Sequence, residues 1–245
     1  MNETWIILGA TSSIARAFAR DLAARGDALL LAGRDMADLQ ALAQDCVLRG
    51  ARLAEAVAFD ARNAESFAAI LARADQETGT LNTAVFVGSM PDQSEIDADP
   101  SLVDGTIIDS FTGPARFLQM LAPLMEARET GCVVGVGSVA GDRGRLANYV
   151  YGAAKAGFAT YLSGLRNRLG RKGVHVITVK PGPVDTAMTW GLGKMPFMTT
   201  PEAVVRDITQ AIRKKRNVIY TTGIWRIVMT VICSIPEPIF KKMSI

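Results

Sequence analysis

The chain has 245 residues, 49% apolar and 21% charged, which is enough for one large domain with a filled core and excludes a disordered chain. Its formal net charge of +3 comes from 27 basic and 24 acidic residues mixed along the sequence, so the basic stripe of a nucleic-acid binder is excluded and no nucleic-acid partner is expected. Cys46, Cys132 and Cys233 lie far apart without a CxxC pair; they fit reduced thiols in the cytoplasm, and no metal site is expected.

In chain order, the acidic start MNETWIILGAT lacks a basic leader region, so the mature chain is expected to begin here. WIILG (5–9) predicts a strand and IARAFARDLAARG (14–26) a helix stopped by Gly26. ALLLAG (28–33) predicts a second strand and DMADLQALAQDCVLRG (35–50) a helix stopped by Gly50. RLAEAVAF (52–59), NTAVFV (82–87), CVVGVGS (132–138), HVITVKP (175–181) and NVIYT (217–221) predict further strands, each near-continuously apolar as a strand buried on both faces should be. This alternation predicts an α/β fold, a doubly wound seven-stranded parallel sheet with helices on both faces and ligands beyond the carboxyl ends of its strands. One domain is expected over 1–223, with a long loop near 185–200, followed by a hydrophobic C-terminal segment over 224–245. No stretch reaches the roughly 18 apolar residues of a membrane span. His175, the single histidine, reads as a structural strand residue, with a ligand or switch as the alternative.

Directly after the first strand, GATSSIA (9–15) opens a helix. Backbone amides and the positive helix end at such a turn can face a pyrophosphate, and Thr11, Ser12 and Ser13 add hydroxyl donors. Only Gly9 remains of a three-glycine pattern, so a plain strand-to-helix turn with a serine cap uses the same letters. The second strand ends in AGRD, where no acidic residue stands to bond a ribose 2′-hydroxyl and Arg34 can pair with a 2′-phosphate. That favours NADP(H) over NAD, the alternative for Arg34 being a solvated surface residue. Asp60, in FDAR, is a candidate partner for the adenine amino group.

In YGAAK (151–155), Tyr151 and Lys155 are four apart on a predicted helix and share a face, with only small residues between them. A nearby ammonium favours the phenolate, so Lys155 is expected to lower the pKa of Tyr151. Ser138, thirteen residues upstream, ends the fifth strand at the carboxyl edge among small residues.

Taken together, GATSSIA, Ser138, the Tyr151–Lys155 pair and KPGPVDTAM (180–188) identify the chain by resemblance as a member of the short-chain dehydrogenase/reductase family, over about residues 4–222. The resemblance implies a Rossmann-type domain and a reversible, NADP(H)-dependent hydride transfer between nicotinamide and a ketone or secondary alcohol. In that scheme Tyr151 protonates the forming alkoxide, Lys155 bonds the nicotinamide ribose, and Ser138 holds the carbonyl oxygen. The implied cofactor-binding set is Gly9, Thr11, Ser12, Ser13, Ile14, Arg34, Asp60, Ala61, Val87, Gly88, Tyr151 and Lys155, with Pro181, Gly182, Val184 and Thr186 around the nicotinamide. A homodimer or homotetramer is the implied assembly. A non-catalytic NADP(H) sensor or an interaction protein on the same fold is the alternative.

Three departures stand out. VFVG (85–88) replaces the family's NNAG, Ser13 and Ala15 replace glycines of the turn, and Ser110 replaces an asparagine whose carbonyl holds a water in a relay to the catalytic lysine. The amide that would normally take the Ser110 carbonyl belongs to Pro114, which has none, so a kink between 110 and 114 and a carbonyl free to face Lys155 are expected. Ser110 therefore joins the catalytic candidates. LGATSSIA, SVAGDRGRLANYVYGAAKAG and the tail are similar to a bacterial group that includes decaprenylphosphoryl-2-ketopentose reductases, which implies a keto sugar, free or lipid-linked. Met188, Trp190, Met195, Phe197 and Met198 predict an apolar lid over 186–200 or a loop packed on the body. The tail predicts either an oligomer contact or a peripheral contact at the inner face of the membrane.

Overall fold

The structure is a computed structural model that describes residues 3–189 and 196–243. Its strands are β1 (Glu3–Leu8), β2 (Ala28–Gly33), β3 (Leu53–Ala58), β4 (Thr80–Val85), β5 (Cys132–Val136), β6 (His175–Pro181) and β7 (Val218–Thr221). They form one parallel sheet in the order β3-β2-β1-β4-β5-β6-β7. The strand order reverses between β1 and β4, which opens a crevice at their carboxyl ends. The inner strands are buried on both faces, whereas most of the edge strand β3 is only half-buried and carries Glu55 in its middle. An edge strand has one neighbour fewer, so the expectation of complete burial fails there.

Helices α1 (Ser13–Ala23) and α2 (Met36–Leu48) end before Gly26 and Gly50, both at positive φ. Together with α8 (Pro201–Arg213) they cover one face, where Phe18 meets Trp5 edge-on at 5.2 Å. The other face is covered by α3 (Phe67–Gln76), α6 (Gly113–Arg128) and α7 (Tyr149–Gly170), around Phe59, Phe67, Phe117 and Phe158. Two short helices, α4 (Gln93–Ala98) and α5 (Leu102–Ile107), precede a π-helical turn over Ile108–Thr112 that leads into α6. His175 lies in β6 opposite Cys132, and its ring bonds the Arg216 carbonyl.

The C-terminal segment forms α9 (Ile224–Ser234) and α10 (Glu237–Phe240). Trp225 and Met229 are buried beside Val139, so part of its apolar surface is used inside the molecule, a third destination that the sequence reading did not foresee. Ile227 and Val231 remain exposed. Among the described residues no helix is long and apolar enough to cross a membrane.

Candidate active site

The chain leaves β1 through Gly9 at φ +74, where a Cβ would stand 3.1 Å from the Val87 nitrogen. Only glycine combines that backbone with that approach. Ser12 caps α1 by accepting the Ala15 N–H, and the helix end faces a cleft of about 210 Å³. Of the expected cofactor residues, Gly9, Thr11, Ser12, Arg34, Asp60, Ala61, Val87 and Gly88 line this cleft. Arg34 is exposed at its rim. Asp60 already accepts the Arg62 N–H on Oδ1 at 2.9 Å, leaving its other oxygen for a ligand. Ser13 and Ile14 begin α1, half-buried.

Phe59, Phe86, Ser89 and Asp109 also line the cleft and were missed in the sequence. Ser89 Oγ is buried without a partner among the described residues, an unmet hydrogen-bonding group at a ligand cleft. Asp109 is held by Arg62 through bonds of 2.8 and 2.7 Å. A carboxylate inside the apolar run TIIDSF was the available signal for it.

Beyond the cleft, Ser138 follows β5 and accepts the Ala140 N–H at 3.1 Å, which starts a 3-10 turn over Val139–Gly141. That turn lies against α7, where a Cβ on Gly152 would stand 2.8 Å from the Ala140 carbonyl oxygen. The close approach brings Ser138 to the Tyr151 phenol. Gly88 connects this trio to the cleft, because a Cβ there would stand 3.1 Å from Lys155 Nζ.

Tyr151 and Lys155 share one face of α7 and are both buried. Their electrostatics differ from the expectation. Burial pushes the phenol up to about 12, opposed by the Ser138 hydroxyl rather than by Lys155. Burial also pulls the Lys155 ammonium down to about 8. Its Nζ donates to the carbonyls of Val136 at 3.1 Å and Val87 at 3.3 Å, and lies 5.8 Å from the centre of the Tyr151 ring. Helical spacing sets the shared face, but these carbonyls set the direction of the ammonium.

Near Ser110 the helix contains a π-turn over 108–112, with the Gly113 N–H donating to the Ile108 carbonyl. The irregularity thus begins before the expected 110–114 interval, and Pro114 stands in the first turn of α6. Ser110 is fully buried.

On the far side, Pro181 ends β6 and Gly182 follows. Val184 is buried and bridges to Thr199, while Thr186 is half-buried. Met188, Phe197 and Met198 are exposed; Trp190 and Met195, also assigned to the lid, lie outside the described residues. Phe197 meets Trp225 edge-on at 6.2 Å. Arg143, in the loop between Ser138 and Tyr151, donates to the carbonyls of Ile232 and Ile235 at 2.6 Å each, pairs with Glu237 at 2.9 Å and stacks on Phe240.

The family profile described as short chain dehydrogenase matches residues 3–196. An uncharacterized oxidoreductase of Mycobacterium tuberculosis is 31% identical over 239 residues, covering 97% of this chain and 96% of its own. A short-chain dehydrogenase from Sphingobium yanoikuyae in complex with NADPH superposes with a TM-score of 0.82 at 23% identity, covering 97% of each chain. A short chain dehydrogenase from Burkholderia cenocepacia in complex with NADP superposes with a TM-score of 0.83 at 18% identity, covering 98% of this chain and 97% of its own.

Proposed function

Because this chain belongs to the short-chain dehydrogenase family, we propose that it is an NADP(H)-dependent oxidoreductase acting between a ketone and a secondary alcohol. The observation that carries the reading is the continuity of the cleft with the trio: Val87 lines the first and its carbonyl accepts a hydrogen bond from Lys155 of the second. The residues present fit a dinucleotide, with a helix N-terminus and hydroxyls for the pyrophosphate, an exposed arginine for a 2′-phosphate and an unpartnered Ser89 hydroxyl. The NADPH and NADP held by the two structural relatives support the same cofactor.

Bound in the cleft, the nicotinamide would supply or accept the hydride. Tyr151, a neutral phenol over the physiological range, gives its proton to the carbonyl oxygen as the alcohol forms. Ser138 holds that oxygen and stabilises the charge developing on it. Lys155 would turn one N–H toward the ribose while the Val136 carbonyl keeps a second in place. Pro181, Gly182, Val184 and Thr186 would frame the nicotinamide, and a water on the Ser110 carbonyl would take over the third Lys155 N–H from Val87 and return a proton through Lys155.

A keto sugar, free or lipid-linked, is the substrate class we favour. The exposed apolar face of α9 and α10 then serves a second copy of the chain or a membrane surface. Ile227→Asp combined with Val231→Asp, which leaves Trp225 and Met229 in place, followed by measurement of particle mass and liposome flotation, separates these two uses.

The test of function is turnover of a ketone panel with NADPH, followed at the cofactor's absorbance. Tyr151→Phe is expected to abolish turnover and leave NADPH affinity within a few-fold. Full activity in the variant would overturn the mechanism, and tight NADPH binding without turnover by the unmodified protein would identify a sensor.

A further inference from the structure

The C-terminal helix α9 lies beyond the residues matched by the family profile, yet it reaches the candidate active site. Trp225 is 6% exposed and packs with Val139, the residue after Ser138. Its indole also presses against Gly182. A Cβ at Gly182 would stand 2.0 Å from Trp225 Nε1, 2.3 Å from Cε2 and 2.5 Å from Cδ1. Any larger residue at 182 would displace the ring, so the face of the indole over Nε1 is fitted to the backbone of the segment that frames the nicotinamide.

The ring also carries an unmet demand. Trp225 Nε1 is buried and has no hydrogen-bond partner among the described residues. A buried indole N–H ordinarily finds an acceptor, because leaving it unpaired forfeits its hydration with nothing in return. Trp5, whose Nε1 is also unpaired, sits deep in the core among apolar side chains; Trp225 sits between the residue after Ser138 and Gly182. Arg143 ties the end of α9 to the loop that follows Ser138. Phe197, on the rim of the 186–200 loop, covers the ring from its edge. The indole is therefore held in place rather than laid on the surface.

We propose that Trp225 is a specificity-determining residue, whose indole N–H donates to a second oxygen of the substrate, beyond the carbonyl that Ser138 and Tyr151 hold. The ligand class this selects is a hydroxylated ketone. The inference rests on the NADP(H)-dependent carbonyl reading above. A site with a buried donor rejects an isostere that lacks the acceptor, since the donor then stays unpaired.

The experiment pairs hydroxyketones with isosteres in which the hydroxyl is a methyl, acetoin and isopropyl methyl ketone being the smallest pair. The unmodified protein is expected to prefer the hydroxyketone by about ten-fold or more in kcat/KM. Trp225→Phe, which keeps a ring and removes the N–H, is expected to erase that preference mainly through KM, with NADPH affinity unchanged. In the unmodified protein, the assigned Trp225 indole resonance should move when acetoin joins the NADPH complex and stay fixed with the isostere, a readout that does not depend on the variant folding. No preference in the unmodified protein, a preference surviving in Trp225→Phe, or a fixed indole resonance each overturns the proposal. So does a variant that loses NADPH affinity instead, which would assign the N–H to the cofactor. Failure to reduce any ketone counts against the carbonyl reading itself, whereas normal turnover without discrimination counts against Trp225 alone.

Discussion

Ser110 donates its hydroxyl to the Ser89 carbonyl at 3.1 Å and accepts the Ser89 N–H on the same oxygen at 3.2 Å. One short side chain thus closes both backbone groups of the residue after Gly88, and fastens the cleft loop to the π-turn beside Lys155. Ser110→Ala leaves both groups unmet at a buried position, costing about 1–3 kcal/mol. Denaturant unfolding should show that loss, together with reduced turnover from a loosened Lys155.

The relay proposed for the Ser110 carbonyl makes a separate prediction. Ser110→Asn should alter turnover only modestly, because the carbonyl is kept and the side-chain amide can both donate to the Ser89 carbonyl and accept the Ser89 N–H. Pro114→Ala restores an amide and should slow proton transfer, seen as a larger solvent isotope effect. A gain of orders of magnitude in Ser110→Asn would refute the relay.

Lys155 is a charge held out of water, and this has a pH signature. Its folded pKa, about 8, lies below the ordinary 10.5. Between these values the unfolded chain binds more protons at this site, so the site's contribution to stability rises with pH across that window and is lost as pH falls through about 8. Lys155→Met should therefore melt higher than the unmodified protein at pH 7 while losing activity. Its advantage should shrink as pH rises through 8 toward 10. The comparison must be a difference between the two proteins, because the buried thiols Cys46 and Cys132, raised to about 11 and 12, pull stability the other way in both.

Arg34 stands exposed at the rim of the cleft. Arg34→Ala should weaken NADPH by roughly ten-fold or more, as expected for a charge-assisted bond to a phosphate. NADH affinity should hardly change. Equal weakening of both would make Arg34 a scaffold residue.

Arg143→Ala removes the bonds to the Ile232 and Ile235 carbonyls and the stack on Phe240. Amide exchange over 224–243 is expected to rise, with the rest of the sheet unaffected. KM for the carbonyl substrate should rise more than kcat falls, because α9 carries Trp225.

The sheet and its crossover helices were legible in the letters alone. Strands such as ALLLAG are continuously apolar because both faces are covered, and Gly26 and Gly50 mark helix stops because the chain turns there at positive φ. Local spacing also sufficed to put Tyr151 and Lys155 on one face and the GATSSIA turn at the mouth of a cleft. What packs over a group is a different kind of fact. Burial, set by residues distant in sequence, reversed the expected pKa shift of Tyr151. The direction of the Lys155 ammonium came from carbonyls at the end of β5 and just beyond β4, and Ser89 and Asp109 reached the cleft only through the docking of their segments. The tail shows the same division most clearly. Its composition announced an apolar segment seeking burial, but only the tertiary structure could divide it between Trp225, pressed against Gly182, and Ile227, left in solvent. The hydrophobic effect that drives such burial has no direction of its own, so shape complementarity with the folded body decides which side chain goes in.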